Sequence, residues 1–382
     1  MQVPLSLYIH IPWCVQKCPY CDFNSHKQKG VIPEQAYIAH LLDDLKQDLK
    51  KYKIRQQGRE ISTIFIGGGT PSLLSVDAMH LLLSGVKTLV PVKPDAEITM
   101  EANPGTVEAN KFAGFVEAGV NRISIGVQSF ENDHLTKLGR IHDSQQAIKA
   151  IELAKQLPLR SFNTDLMHGL PEQNAEQALN DLRTTIALGT PHISWYQLTI
   201  EPNTQFFSKP PELPDDDVLW EIQQQGHALL EENGYQQYEV SAYTKNAEFA
   251  QHNLNYWRFG DYLGIGCGAH GKITDLVTKQ IMRTVKVKHP IGYMDLSKDY
   301  LDTQSPIQAQ DLAFEFFMNR FRLLEACEKE AYTQNTGQPL SNQAQSILKR
   351  NVEKGLIDET SEHWQVTDLG RRYLNSLLAD FV

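Results

Sequence analysis

Apolar positions along the first 235 residues switch repeatedly between two rhythms. Short stretches such as Ser6–Ile11 (SLYIHI) and Ser62–Ile66 (STIFI) are apolar almost throughout, as strands buried on both faces of a parallel sheet are. Between them apolar residues recur every three or four positions. Tyr37, Leu41, Leu45 and Leu49 do so within Glu34–Lys53, which puts them on one face of a helix. The same alternation predicts helices over Val76–Leu89, Val107–Ala118, Ser144–Leu157 and Ala175–Leu188. It predicts strands over Glu97–Glu101, Arg122–Gly126, Ser161–Met167 and Ile193–Thr199. Six successive βα units give an α/β fold with a mainly parallel sheet. Six are too few to close an eight-stranded barrel. The expected architecture is therefore an open three-quarter (β/α)6 barrel, with active loops at the carboxyl ends of its strands.

The rhythm breaks at the proline-rich Pro202–Pro214, before a helix that Asp215–Asp217 can cap. An aromatic- and glycine-rich stretch, Tyr235–Lys272, follows. The last segment reads as helix (Phe314–Glu325), helix (Ser341–Lys354), a short β-wing (Gly355–Ile357 and Trp364–Thr367) and a final helix, an order that resembles a small winged-helix module. The predicted division is a core over 1–235, an aromatic and glycine-rich segment over 236–290, and a small α+β unit over 291–382.

Composition narrows the function. The chain of 382 residues carries a formal charge of −10 and no lysine- or arginine-rich block, so the electrostatic footprint of a nucleic-acid binder is missing. No apolar run reaches the roughly 20 residues of a membrane span. Met1–Pro12 lacks the pattern of a secretory signal, and a cytoplasmic location is expected. Of five cysteines, three fall within eight residues, an arrangement ill suited to a disulfide framework and well suited to metal ligation. Cys267 and Cys327 stand alone and read as small buried residues.

The clustered cysteines form Cys14-Val-Gln-Lys-Cys18-Pro-Tyr-Cys21, directly after the first strand. Thiolates are soft ligands that suit an iron–sulfur cluster or zinc, and His26 offers a fourth ligand for the zinc alternative. Three thiolates on one loop leave the fourth iron of a cubane open to a chelating ligand. The second motif, Ile66-Gly67-Gly68-Gly69-Thr70-Pro71-Ser72, ends the second strand, where glycines let the backbone approach a ligand. It has neither the lysine of a P-loop nor the spacing of a dinucleotide fingerprint. Its position one βα unit after the cysteine loop favours the cluster over zinc.

In combination these two motifs resemble the radical S-adenosylmethionine superfamily. Tyr8-Ile9-His10-Ile11-Pro12-Trp13-Cys14, Glu101-Ala102-Asn103-Pro104, Gly126-Val127-Gln128-Ser129-Phe130 and Asp165-Leu166-Met167-His168-Gly169-Leu170-Pro171 look like its coproporphyrinogen III dehydrogenase (HemN) branch, over nearly the whole chain. The resemblance implies a [4Fe–4S] cluster on Cys14, Cys18 and Cys21, with S-adenosylmethionine on the open iron. It further implies that Gly68, Gly69 and Thr70 contact S-adenosylmethionine, and that Glu101, Gln128, Arg140 and Asp165 hold its ribose and aminocarboxylate. Tyr8 and Tyr20 would lie beside cluster and cofactor. An acid and an amide suit sugar hydroxyls, and a guanidinium suits a carboxylate.

Two features depart from the dehydrogenase. Phe23 stands where its Cys-x3-Cys-x2-Cys-x-Cys pattern has a fourth cysteine, and only 13 residues precede Cys14 where it has a longer arm. Both match the sister family of heme chaperones. So does Gln251-His252-Asn253-Leu254-Asn255-Tyr256-Trp257, which fits that family's His-Asn-x-x-Tyr-Trp motif and implies His252 as a heme ligand between flat apolar rings. Read from the residues alone, His252 is a hydrogen-bonded packing histidine and Arg140 a solvated charge. Gly264–Gly271, with His270, could line the same pocket. The resemblance implies a protein that binds heme and hands it to apo-hemoproteins, membrane-associated cytochromes or heme-storage proteins among them. A homodimer is compatible with this expectation, and nucleic acid is not a partner. The alternative is an enzyme of porphyrin biosynthesis that oxidatively decarboxylates coproporphyrinogen III, and Phe23 with His252-Asn253 separates the two.

Overall fold

The computed structural model describes residues 3–382 apart from 107, 108, 296 and 298. Six strands form the centre of its large sheet: β1 (Leu5–Ile11), β2 (Ile61–Gly68), β3 (Val92–Ala102), β4 (Arg122–Gln128), β5 (Ser161–His168) and β6 (His192–Gln197). Each is parallel to the next. The helices Glu34–Lys51, Val76–Leu89, Ala109–Ala118, Ser144–Lys155, Ala175–Ala187 and Asp216–Glu232 follow them in turn. The predicted start of the third helix, Val107 and Glu108, lies outside the described residues. Several helices begin where a polar side chain meets an orphan amide. Asp143 and Asn174 form capping boxes with Gln146 and Gln177, and Ser75 and Asp215 accept from Ala78 and Val218. The strands bury Ile9, Ile64, Ile66 and Ile123 completely against Leu41, Leu45 and Leu82 of the helices, so one continuous core backs the sheet.

Residues after 235 do not stand apart from this sheet but extend both its edges. Beyond β6 lie β7 (Gln236–Glu239) and β8 (Ala242–Thr244). On the other side β9 (Asp261–Ile265) runs parallel to β1, and β10 (His270–Thr274), β11 (Ile281–Lys286) and β12 (Leu301–Pro306) continue antiparallel. The order of the 12 strands is β12-β11-β10-β9-β1-β2-β3-β4-β5-β6-β8-β7, with β12 and β7 at the edges. The sheet is open, and the expectation of an unclosed α/β barrel is borne out. Buried charges fasten the extension: Asp261 pairs with Arg59 (2.8 Å) and Lys272 (3.1 Å), each almost fully enclosed. Removing one partner of such a set leaves a buried charge uncompensated.

Because β12 still pairs with the large sheet, the separate C-terminal core begins after it. Helices Leu312–Arg320, Lys329–Thr336 and Asn342–Glu353 pack with a three-stranded sheet of Cys327–Glu328, His363–Val366 and Ile357–Glu359. Phe316, Phe317, Phe321, Ile347 and Trp364 form their shared interior. The helix predicted over Phe314–Glu325 stops at Arg320. The Arg320 guanidinium folds back onto Glu325 (2.7 Å) and the Ala326 carbonyl (2.9 Å), which fixes the turn. Lys329–Thr336, whose apolar pattern is weak, is an additional helix.

Candidate cofactor and ligand site

The cysteine loop is pinned at its base. Trp13–Cys14 and His26–Lys27 pair as a two-residue parallel ladder, with His26 N–H donating to the Pro12 carbonyl (2.7 Å) and Gln28 N–H to that of Cys14 (2.8 Å). The glycine loop after β2 is tied to the same stem, since Gly69 N–H donates to Ile11 (2.7 Å) and Thr70 N–H to Trp13 (2.8 Å). This closeness explains the glycines. A Cβ on Gly68, whose φ is +113°, would meet the His10 ring at 2.5 Å, and one on Gly69 would meet the Trp13 carbonyl at 2.6 Å.

Cys14, Cys18 and Cys21, all free thiols, line one small cavity of about 160 Å³ with Tyr20, Gly68, Gly69, Thr70, Glu101, Gln128, Arg140 and Asp165. Burial raises the Cys14 and Cys21 thiols, and the neighbouring cysteines raise them further, so their charged forms need a positive group among them. Among the described residues no three His, Cys, Asp or Glu side chains converge tightly enough for a single metal ion. His26 instead sits on the wall of a second cavity, its Nε2 hydrogen-bonded to the Lys288 carbonyl (3.1 Å). Three soft thiols spread around a hollow fit a cluster better than one zinc ion.

The remaining walls of this cavity are polar. Arg140 spans the cavity, donating to the Gly126 carbonyl (2.8 Å) and reaching Cys18 Sγ and Tyr20 Oη (both 3.5 Å). Its Nε is buried with no hydrogen-bond partner among the described residues. Gln128 ends β4 at φ +70°, where the register with β5 shifts, and this bulge turns its amide inward to accept from the Tyr196 hydroxyl (2.7 Å). Asp165 is held by Ser124 (2.9 Å) and Asn163 (2.6 Å). Burial raises its carboxyl, and those hydrogen bonds oppose the rise. Glu101 accepts from Gly68 N–H (3.0 Å), and its carboxyl is pushed up to about 8, chiefly by burial and further by Asp165. Tyr196, Ser124 and Asn163 were missed from sequence. Their roles depend on register across β4, β5 and β6, which no local sequence signal reports.

Tyr8 lines a second, wider cavity of about 850 Å³, which adjoins the first across Gly68, Glu101, Lys17, Ser25 and Phe23. Its floor is the extended sheet: Tyr8 on β1, Tyr262 on β9, His270 and Lys272 on β10, and Arg283 on β11. Tyr256, Trp257 and the exposed Phe23 add aromatic walls.

His252 does not join them. It is 1% exposed, with Nδ1 hydrogen-bonded to Thr63 Oγ1 (2.8 Å) and Nε2 to Tyr256 Oη (2.7 Å). Burial holds its pKa down to about 3, so the ring is neutral, with both nitrogens occupied. A heme iron would have to displace Thr63 or Tyr256 to meet the His252 ring. What His252 does is fix Tyr256, whose ring stands edge-on to Tyr262 at the cavity wall (centroids 4.4 Å apart). Arg140, by contrast, is enclosed in the site and is not a solvated charge.

Residues 8–184 match the radical SAM superfamily, and residues 307–373 match the HemN C-terminal domain. The chain is 59% identical over 379 residues to the heme chaperone HemW of Escherichia coli (strain K12), covering 99% of this chain and 98% of that one. It is 56% identical over 382 residues to the heme chaperone HemW of Haemophilus influenzae, with the same coverage. The solved coproporphyrinogen III oxidase (HemN) of Escherichia coli superposes with a TM-score of 0.81 over 100% of this chain and 90% of that one. At 22% identity this is a likeness of fold. With cysteine loop, glycine loop and near-complete coverage in agreement, the chain belongs to the HemW family of the radical S-adenosylmethionine superfamily.

Proposed function

We propose that the chain is a heme chaperone, which binds heme in the wider cavity and delivers it to apo-hemoproteins, including membrane-associated cytochromes and heme-storage proteins. The observation that carries this is the wider cavity itself. At about 850 Å³ it has the capacity of a cofactor site, its walls are aromatic, and it opens beside the cysteine loop. Flat rings suit a porphyrin face, and the ammonium groups of Lys17 and Lys288, which make no ion pair among the described residues, suit propionates.

In this proposal Cys14, Cys18 and Cys21 hold a [4Fe–4S] cluster. Gly68, Gly69 and Thr70 lie against S-adenosylmethionine, Arg140 takes its carboxylate, and Glu101, Gln128 and Asp165 take its ribose and amine. When bound, the cluster supplies an open iron and a source of single electrons. The protein's own part is to orient the ligand by these groups and to keep water from the thiols with Tyr20 and Phe23. Tyr8 lines the heme space, and His252 positions Tyr256.

The test is anaerobic. The reconstituted protein should carry about four irons per chain, fewer in Cys18→Ser. It should take up one heme, pass it to an added apo-hemoprotein, and form no protoporphyrinogen from coproporphyrinogen III supplied with a reductant. Turnover of coproporphyrinogen III without heme binding would establish the dehydrogenase instead.

A further inference from the structure

We propose that His270, at the start of β10, is the imidazole that meets the iron of a heme in the wider cavity, with Lys17 and Lys288 taking its propionates. This rests on the heme-chaperone proposal above.

Three histidines line that cavity, and the structure separates them by what their nitrogens already do. His10 is 4% exposed, with Nδ1 hydrogen-bonded to the Tyr8 hydroxyl (2.9 Å) and Nε2 to the Asn24 carbonyl (2.9 Å). His26 spends Nε2 on the Lys288 carbonyl (3.1 Å) and packs edge-on against His289 (5.5 Å). His270 is exposed to the cavity and, among the described residues, makes no side-chain hydrogen bond. Partial burial and the nearby Lys288 and Arg283 charges lower its pKa, which favours the neutral ring that a metal requires.

The backbone keeps the space in front of this ring clear. Tyr8 of β1 is in register with Gly264 of β9, and Gly264 lies against the His270 backbone, where a Cβ would come within 1.9 Å of its carbonyl oxygen. No side chain therefore stands between Tyr8 and His270 in that row. One step along, Tyr262 is in register with Lys272, and side chains two apart on a strand share a face. Tyr262 and His270 thus look into the same hollow, with Tyr256 and Trp257 across it.

Charge assigns the propionates. Lys272 is neutralised by Asp261 (3.1 Å), and Arg283 is held by Glu315 and by the Tyr262 hydroxyl (2.9 Å). Among the described residues Lys17 donates only to the Phe23 and Ser25 carbonyls (3.1 and 3.4 Å), and the Lys288 ammonium makes no ion pair. These two cations remain for anionic groups.

The experiment titrates cluster-loaded, full-length protein with ferric heme and follows the Soret band and the electron paramagnetic resonance spectrum. His270→Ala should weaken heme binding by about tenfold or more, remove the histidine-ligated signature and regain it with added imidazole. Iron content and melting temperature should hold. His270→Gln guards against a folding defect and should show the same loss. Lys17→Ala/Lys288→Ala should weaken heme but leave heme dimethyl ester, which lacks propionate charge, unaffected. If wild-type protein takes up no heme, the chaperone proposal fails, and the inference with it. If wild type binds heme and both His270 variants keep its affinity and spectrum, the inference alone is overturned.

Discussion

Glu101 sits between the two cavities, and its carboxyl is the titrating group that the fold perturbs most usefully. Burial, with Asp165 second, lifts it from its ordinary value to about 8. In the unfolded chain the group ionises near pH 4.5, whereas in the fold it keeps its proton to about pH 8. Between those values the folded state binds more protons, so Glu101 lowers stability progressively as pH rises, and its contribution levels off above 8. Glu101→Gln removes this slope. Thermal unfolding of the ligand-free variant at pH 5 and pH 8 should show a smaller fall than wild type, and an equal fall would refute the assignment. At this scale the sequence was informative in an uneven way. The cysteines and glycines announce themselves because spacing alone carries their chemistry. Glu101, Gln128, Arg140 and Asp165 were legible only through resemblance, since three strands and the loop that carries Arg140 must assemble before they face one hollow. His252 and His270 show the limit most clearly: whether an imidazole is available depends on tertiary partners such as Thr63, which bonds His252 from 189 residues away in the chain.

The elements that carry the site were readable where both faces of a strand are buried. β1, β2 and β4 are apolar over most of their length, and the helices between the strands repeat with the period of one buried face. The strands of the extension escaped because their patterns are weak. β12 (LDTQSP) is polar and exposed along most of its length, and β11 (IMRTVK) alternates only loosely. Yet β9 and β10 make the floor of the wider cavity, and their contact depends on Gly264. A methyl group there meets backbone, which has no rotamer by which to yield. Gly264→Ala should cost about 1–3 kcal/mol of stability by overpacking. It should impair heme uptake and leave iron content near wild type, as denaturant unfolding and iron analysis can check. Wild-type stability and heme uptake in this variant would show that the β9–β10 contact does not shape the cavity.

For the whole molecule, the open sheet leaves two hollows in series where a closed barrel would have one centre. The first is small, polar and thiol-lined; the second is wide and aromatic, and is bounded in part by the C-terminal unit through Met318 and Asn319. That unit is fastened by Arg258 to Glu325 (2.7 Å), by Arg283 to Glu315, and by Arg372 stacked over Trp220 (4.7 Å). Among the described residues no helix is long and apolar enough to cross a membrane. The open (β/α)6 core was legible from its rhythm, while the second cavity was not, because it arises where residues from β1, β9, β10, β11 and the C-terminal unit meet. The central claim is that heme occupies this second cavity beside the cysteine loop. An anaerobic crystal structure of the reconstituted protein soaked with heme tests it most directly. The porphyrin is predicted to lie against Tyr262, Tyr256 and Trp257, with the cluster on Cys14, Cys18 and Cys21. A porphyrin seated anywhere else, with this cavity empty, would contradict the account.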